Sequence, residues 1–182
     1  VPSWNGKRPP HLLILNNICN HTIKNNLKLK TMEQSNTGSP QLDTQIEKVI
    51  YTAKSHTTGG RDGGSSISSD GRLDVKLSVP GTPGNGTNPE QLFAAGWSAC
   101  YFSALQLAAA QRKVRFPADA AVDAEVDLRL APEYNYSLGV RLNVSLPGMD
   151  REMAREIADA GHLLCPYSKA THGNIQVETN LI

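Results

Sequence analysis

One stretch of this chain constrains its fold more than any other. Residues 89–113 read as a single helix whose interior, residues 92–110, is nearly all apolar or small. Asn88 is placed to cap it, with Gln91 three residues on to reach back, and Pro89 sits at the first position, where a missing N–H costs nothing. A helix that is apolar all round is buried on most of its faces. This one is therefore expected to run through the centre of the molecule, with the rest of the chain wrapped around it.

The flanking segments read as strands that supply the wrapping. Residues 46–54, rich in branched and aromatic side chains, form a candidate strand. Ile67 and residues 73–79 flank Asp70-Gly71, a dipeptide suited to the positive φ angles of a tight hairpin. Beyond the helix come two long alternating strands. Ala120, Val122, Ala124, Val126, Leu128 and Leu130 share one face of the first, and Tyr136, Leu138, Val140, Leu142, Val144 and Leu146 one face of the second. Asp150 then caps a second helix to about Leu164, with Met153, Ile157 and Ala160 inward and Pro166 helping to stop it. Residues 175–181 make a last strand. The order strands, helix, strands, helix, strand predicts an α+β fold with antiparallel sheets on a buried helix, in one domain over residues 46–182.

Residues 1–45 look different. They are crowded with asparagine, and residues 1–31 hold Lys7, Arg8, Lys24, Lys28 and Lys30 and no acid. They read as a disordered or artefactual leader, with Met32 a candidate true start. An organelle-targeting segment is the alternative, weakened by the single arginine.

Lysine plus arginine number 18 against 17 acids among 182 residues, so no overall charge points to nucleic acid or a membrane surface. No run approaches the ~18 consecutive apolar residues of a membrane span. Three cysteines, Cys19, Cys100 and Cys165, are too few and too scattered for a disulfide scaffold or a zinc site. A reducing, cytoplasmic setting is expected, where a cysteine pair is more often redox-active than a staple.

Taken singly, neither Cys100 in the apolar helix nor Cys165 at the end of the second helix demands more than a packing role. A reactive cysteine needs a reason to be a thiolate, and a mid-helix position gains little from the helix dipole. A cation is required. Arg61 is the candidate, in the glycine-rich loop Thr57-Thr58-Gly59-Gly60-Arg61-Asp62-Gly63-Gly64.

Together these residues resemble a known family. The string Gly86-Thr87-Asn88-Pro89-Glu90-Gln91-Leu92-Phe93-Ala94-Ala95-Gly96-Trp97-Ser98-Ala99-Cys100 is similar to the signature of the organic hydroperoxide resistance (Ohr) proteins of the OsmC/Ohr superfamily. Thr58-Gly59-Gly60-Arg61-Asp62-Gly63 and Cys165-Pro166-Tyr167-Ser168-Lys169-Ala170-Thr171 resemble two further motifs in the same order. The resemblance covers residues 46–182. It implies a thiol peroxidase working as an intertwined homodimer, with active sites at the subunit interface. Cys100 would be the peroxidatic residue and Cys165 the resolving one. Arg61 would pair with the Cys100 thiolate, and Glu90 would hold Arg61. The substrate would be an organic hydroperoxide. No resident cofactor is implied; lipoyl groups on a partner protein would return the reducing equivalents.

Geometry strains one point. In an unbroken helix Glu90 and Cys100 lie ten residues, about 15 Å, apart along the axis, so they meet only if an extended arginine bridges them or the helix bends near Gly96. Phe93, Trp97, Phe102 and Leu164 are candidate walls of an apolar pocket. His162 invites a Cys–His hydrolase reading that no orienting residue supports, and a helix-end histidine bonded to terminal carbonyls is the expected role. His172 stands where the resemblance leads one to expect arginine. Two rivals remain: an OsmC-branch peroxidase of broader specificity, and a non-catalytic protein of the same fold holding a lipid-like ligand.

Overall fold

The apolar stretch forms helix α1, Pro89–Gln111. Asn88 caps it, its side-chain oxygen accepting from the Gln91 amide at 2.8 Å. The Gln91 side chain does not reach back as expected; its oxygen accepts from the Thr87 hydroxyl at 2.7 Å. The computed structural model describes residues 48–182, and residues 50–182 make up one unit. The leader assigned to residues 1–45 lies outside the described residues, as does Cys19.

Strands β1 (Ser55–Thr58), β2 (Ser65–Ser68) and β3 (Asp74–Lys76) form an antiparallel sheet in that order. Asp70-Gly71 turns the β2–β3 hairpin, with Gly71 at φ 69°. The strand expected over residues 46–54 is not formed across 48–54; the strand begins at Ser55 opposite Ser68, with one further backbone bond from the Ser69 amide to the Lys54 carbonyl. The physical reason is exposure. Val49, Ile50 and Tyr51 are each more than two-thirds open to solvent, and branched residues favour a strand only when neighbours cover them.

Strands β4 (Ala121–Ala131) and β5 (Asn135–Ser145) form the long antiparallel pair, with Val126 opposite Val140. Strand β6 (Gln176–Leu181) joins the other side of β5. Here the expectation of antiparallel sheets needs correction at one pair, because β6 runs parallel to β5. The chain returns through helices α2 (Arg151–Leu164) and α3 (Pro166–Thr171), and a helical crossover brings it back in the same direction.

Helix α2 is capped by Asp150, which accepts from the amides of Glu152 and Met153. Its most buried stripe is Ala154, Ile157, Ala158 and Gly161, with Met153 and Ala160 partly buried against the core at its margins, as expected. Close approach explains the choice. A Cβ on Gly161 would stand 2.7 Å from a Leu105 methyl and 3.0 Å from the Tyr101 ring, so small residues let α2 settle onto α1. Pro166 does not merely stop α2. It occupies the first turn of α3, where proline is tolerated, after Cys165 breaks the helix with extended backbone.

The core joins Trp97, Tyr101, Leu105 and Ala108 of α1 to Ile157 and Ala158 of α2 and to Val140, Leu142 and Val144 of β5. By length and composition α1 would also pass for a membrane span, but these residues place it as a core helix. Within one chain its burial is one-sided. Ala95 and Ala99 are exposed. The apolar face of the β4–β5 hairpin is likewise open at its far end, where Leu128, Leu130 and Tyr136 are 42%, 61% and 57% exposed.

Candidate active site

Cys100 projects from the middle of α1, and Cys165 sits in the break between α2 and α3. The packing of α1 on α2 brings their sulfurs to 3.3 Å, the Cys165 thiol donating toward Cys100. Cys165 is fully buried and Cys100 partly exposed, and both are reduced. A disulfide has sulfurs about 2.05 Å apart, so closing it requires a shift of about 1.3 Å. Of the two residues, Cys100 is the one nearer to solvent. Cys165 waits behind it.

Burial pushes the Cys100 thiol up to about 11, and the neighbouring Cys165 adds to the rise, while the backbone amide of Tyr167 works the other way. That amide is free because α3 begins at Pro166, and the N–H groups of a helix's first turn have no partner within the helix. The Tyr167 ring lies against Gly96, where a Cβ would stand 2.9 Å from its hydroxyl. Gly96 thus makes room for Tyr167; α1 is assigned as one continuous helix through it.

Arg61 is presented by a loop in which Gly59, Gly60 and Gly63 all have positive φ. At Gly64 a Cβ would run into the Thr58 carbonyl oxygen, so the loop closes only on glycine. The guanidinium donates from Nη2 to Glu90 Oε1 at 2.8 Å. Glu90 lies in the first turn of α1, where the helix dipole favours a carboxylate. Its second oxygen, Oε2, is buried without a hydrogen-bond partner. Beside this pair opens a cleft of about 390 Å³ lined by Asn88, Gln91, Ala94, Val126 and Leu128. The structure brings Arg61 to Glu90 and Cys100 to Cys165. It does not bring the two pairs together: among the described residues no guanidinium acts on the Cys100 thiol.

The walls also differ from expectation. Trp97 is fully buried in the core, and Phe102 packs edge-on against Phe116 with ring centres 5.5 Å apart. Phe93 stands 6.0 Å from the Tyr167 ring and 5.4 Å from the Trp97 ring. His162 bonds no terminal carbonyl and no cysteine. Its Nδ1 meets the Ser168 hydroxyl at 3.0 Å and its Nε2 the Thr179 hydroxyl at 2.8 Å. Sequence reasoning missed the Tyr167 amide and Ser168. For the amide a signal existed, since proline at a helix's first position leaves the next N–H free.

Comparison with known proteins agrees with this fold. The family model described as OsmC-like protein matches residues 81–180. An organic hydroperoxide resistance protein of Xanthomonas axonopodis pv. citri is 45% identical over 139 residues, 74% of this chain and 96% of that one. The crystal structure of the organic hydroperoxide resistance protein OhrB of Bacillus subtilis superposes with a TM-score of 0.69 at 39% identity, over 74% of this chain and 100% of that one. A Vibrio cholerae relative, 34% identical and with the same TM-score, holds captopril in one of its active sites; the match covers 75% of this chain and 95% of that one. The chain belongs to the OsmC-like family and, within it, to the organic hydroperoxide resistance proteins.

Proposed function

We propose that the chain is a cysteine peroxidase that reduces organic hydroperoxides to alcohols, with Cys100 as the reacting thiol. The observation that carries this reading is the 3.3 Å approach of a partly exposed cysteine to a fully buried one. The Cys100 thiolate attacks the terminal peroxide oxygen, the O–O bond breaks and the alcohol leaves after taking up a proton, giving a sulfenic acid. Cys165 then attacks that sulfur. Its proton leaves with the hydroxyl as water, and the disulfide forms. A dithiol restores both thiols and is itself oxidised to a disulfide. The family resemblance favours a lipoyl dithiol on a partner protein, in a cytoplasmic setting.

Two copies complete the site on this reading. Cys100 needs a cation to become a thiolate near neutral pH, because burial acts against the charged form. Arg61 is held by Glu90 about 15 Å along α1 from its own Cys100. The exposed face at Ala95 and Ala99 and the open end of the β4–β5 hairpin are apolar surfaces that a second copy would cover. In such a homodimer the Arg61–Glu90 pair of one chain serves Cys100 of the other, lowering its pKa and stabilising charge on the departing oxygen. The apolar side chains of Phe93 and Leu164 favour alkyl hydroperoxides over hydrogen peroxide.

The test is peroxide consumption with dihydrolipoamide, comparing cumene hydroperoxide with hydrogen peroxide. Faster turnover of the organic substrate, abolished by Cys100→Ser and limited to a single turnover by Cys165→Ser, supports the proposal. Absent consumption by dimeric wild type with both thiols reduced overturns it and favours the ligand-binding alternative.

A further inference from the structure

His162 is a half-buried titratable group that the mechanism does not use, yet it lies within a chain of hydrogen bonds running from Trp97 to Thr179. The Trp97 indole N–H can only donate, and it does so to the Ser168 hydroxyl at 3.1 Å. Ser168 therefore has its own proton to give, and the nearest acceptor is His162 Nδ1 at 3.0 Å. That assignment leaves the proton of the neutral ring on Nε2, which donates to the Thr179 hydroxyl at 2.8 Å. The ring also lies on Tyr101, with centres 4.5 Å apart. Burial holds the imidazole in its neutral form by lowering its pKa, against the opposing charge of Asp159.

The positions of these residues matter more than their number. Trp97 sits one turn before Cys100 on α1. His162 and Ser168 each stand three residues from Cys165, one on α2 and the other on α3. The backbone break that carries Cys165 is thus bonded across its two sides and anchored to the helix that carries Cys100. We infer that His162 is the positioning residue for the resolving step: it fixes the α2–α3 break so that the Cys165 sulfur stays within reach of Cys100 while the disulfide closes. The inference rests on the assignment of Cys165 as the thiol that attacks Cys100.

Closure can be read without any peroxide. In the full chain carrying Cys19→Ser, Cys100 is first loaded as a mixed disulfide with thionitrobenzoate. Cys165 then loses its proton and attacks the Cys100 sulfur, and the coloured thiolate leaves. His162→Phe keeps a ring against Tyr101 but bonds neither hydroxyl, and Ser168→Ala removes the link to Trp97. Both are expected to slow release by about 10- to 100-fold, the scale of an ångström-level misplacement of reacting groups. His162→Asn, whose amide falls near the Nδ1 position, is expected to recover most of the rate. Release from His162→Phe at the wild-type rate overturns the inference. So does a slow His162→Asn whose Cys100 loading has fallen in step, which marks general damage. Failure of peroxide to oxidise wild-type Cys100, with rapid release in this assay, would instead sink the peroxidase reading and leave the positioning role standing.

Discussion

Arg61 and Glu90 form an ion pair at 2.8 Å in the same chain whose Cys100 has no cation acting on it among the described residues. The carboxylate keeps one buried oxygen unpartnered, while the cysteine is a thiol raised by burial. On the proposed reading, each pair lacks what a second copy would bring. The proposed two-chain site rests on that complementarity and on the rise of α1, which sets Glu90 and Cys100 of one chain about 15 Å apart.

Mixed dimers test this arrangement. Near neutral pH, Arg61→Ala alone is expected to be nearly inactive and Cys100→Ser alone inactive. Co-refolded, they form heterodimers with one intact site, because the wild-type Arg61 of one chain meets the wild-type Cys100 of the other. About a quarter of wild-type turnover is expected from random pairing, in which half of the dimers are mixed and each has one of two sites. No recovery in a verified heterodimer means that the pair acts within its own chain.

The pH dependence of Arg61→Ala has a definite sign. Without the guanidinium, burial dominates and holds the Cys100 thiol well above its ordinary value of 9.0, toward about 11. The reactive thiolate is then scarce at neutral pH and grows with alkalinity. Cumene hydroperoxide reactivity of this variant should climb about tenfold per pH unit from pH 7 to 9, while the wild type stays nearly flat. Alkylation rates at Cys100 check it.

Gly161→Ala should act on stability. The added methyl meets Leu105 and Tyr101 where α2 crosses α1, and overpacking of this kind costs about 1–3 kcal/mol. Denaturant unfolding would register the loss. The same change wedges apart the helices that carry the cysteines, so disulfide closure should slow with it.

His162 makes a further pH prediction. Its pKa is lowered in the folded state, so its contribution to stability is present above the ordinary value of 6.5 and is lost as pH falls through the lowered one. The stability difference between wild type and His162→Phe should therefore narrow on acidification below about pH 6.5. A constant difference across that window would contradict a neutral, hydrogen-bonded imidazole.

Much of the fold was legible in the sequence because hydrophobic periodicity encodes it directly. Alternation along β4 and β5 placed Val140, Leu142 and Val144 inward, where they are buried. The unbroken apolar run gave α1. Periodicity was silent on what buries a face: α1 read as wrapped on most sides, and within one chain Ala95 and Ala99 on it stay exposed. The strand expected over residues 46–54 failed for a related reason, since propensity without a covering neighbour does not make a strand. At the site, motif order singled out both cysteines, but their 3.3 Å approach is a tertiary fact set by Gly161 and the α1–α2 crossing. Hydrogen-bond partners such as Ser168 and the Tyr167 amide depend on the orientation of a six-residue helix, which spacing alone did not supply.

The measurement that bears most directly on the central claim is peptide mass spectrometry of the fully reduced protein after one equivalent of cumene hydroperoxide. The account predicts a disulfide-linked pair of peptides carrying Cys100 and Cys165, formed in near-stoichiometric yield and absent from Cys100→Ser. Both peptides recovered as free thiols, with the peroxide unconsumed, would contradict it.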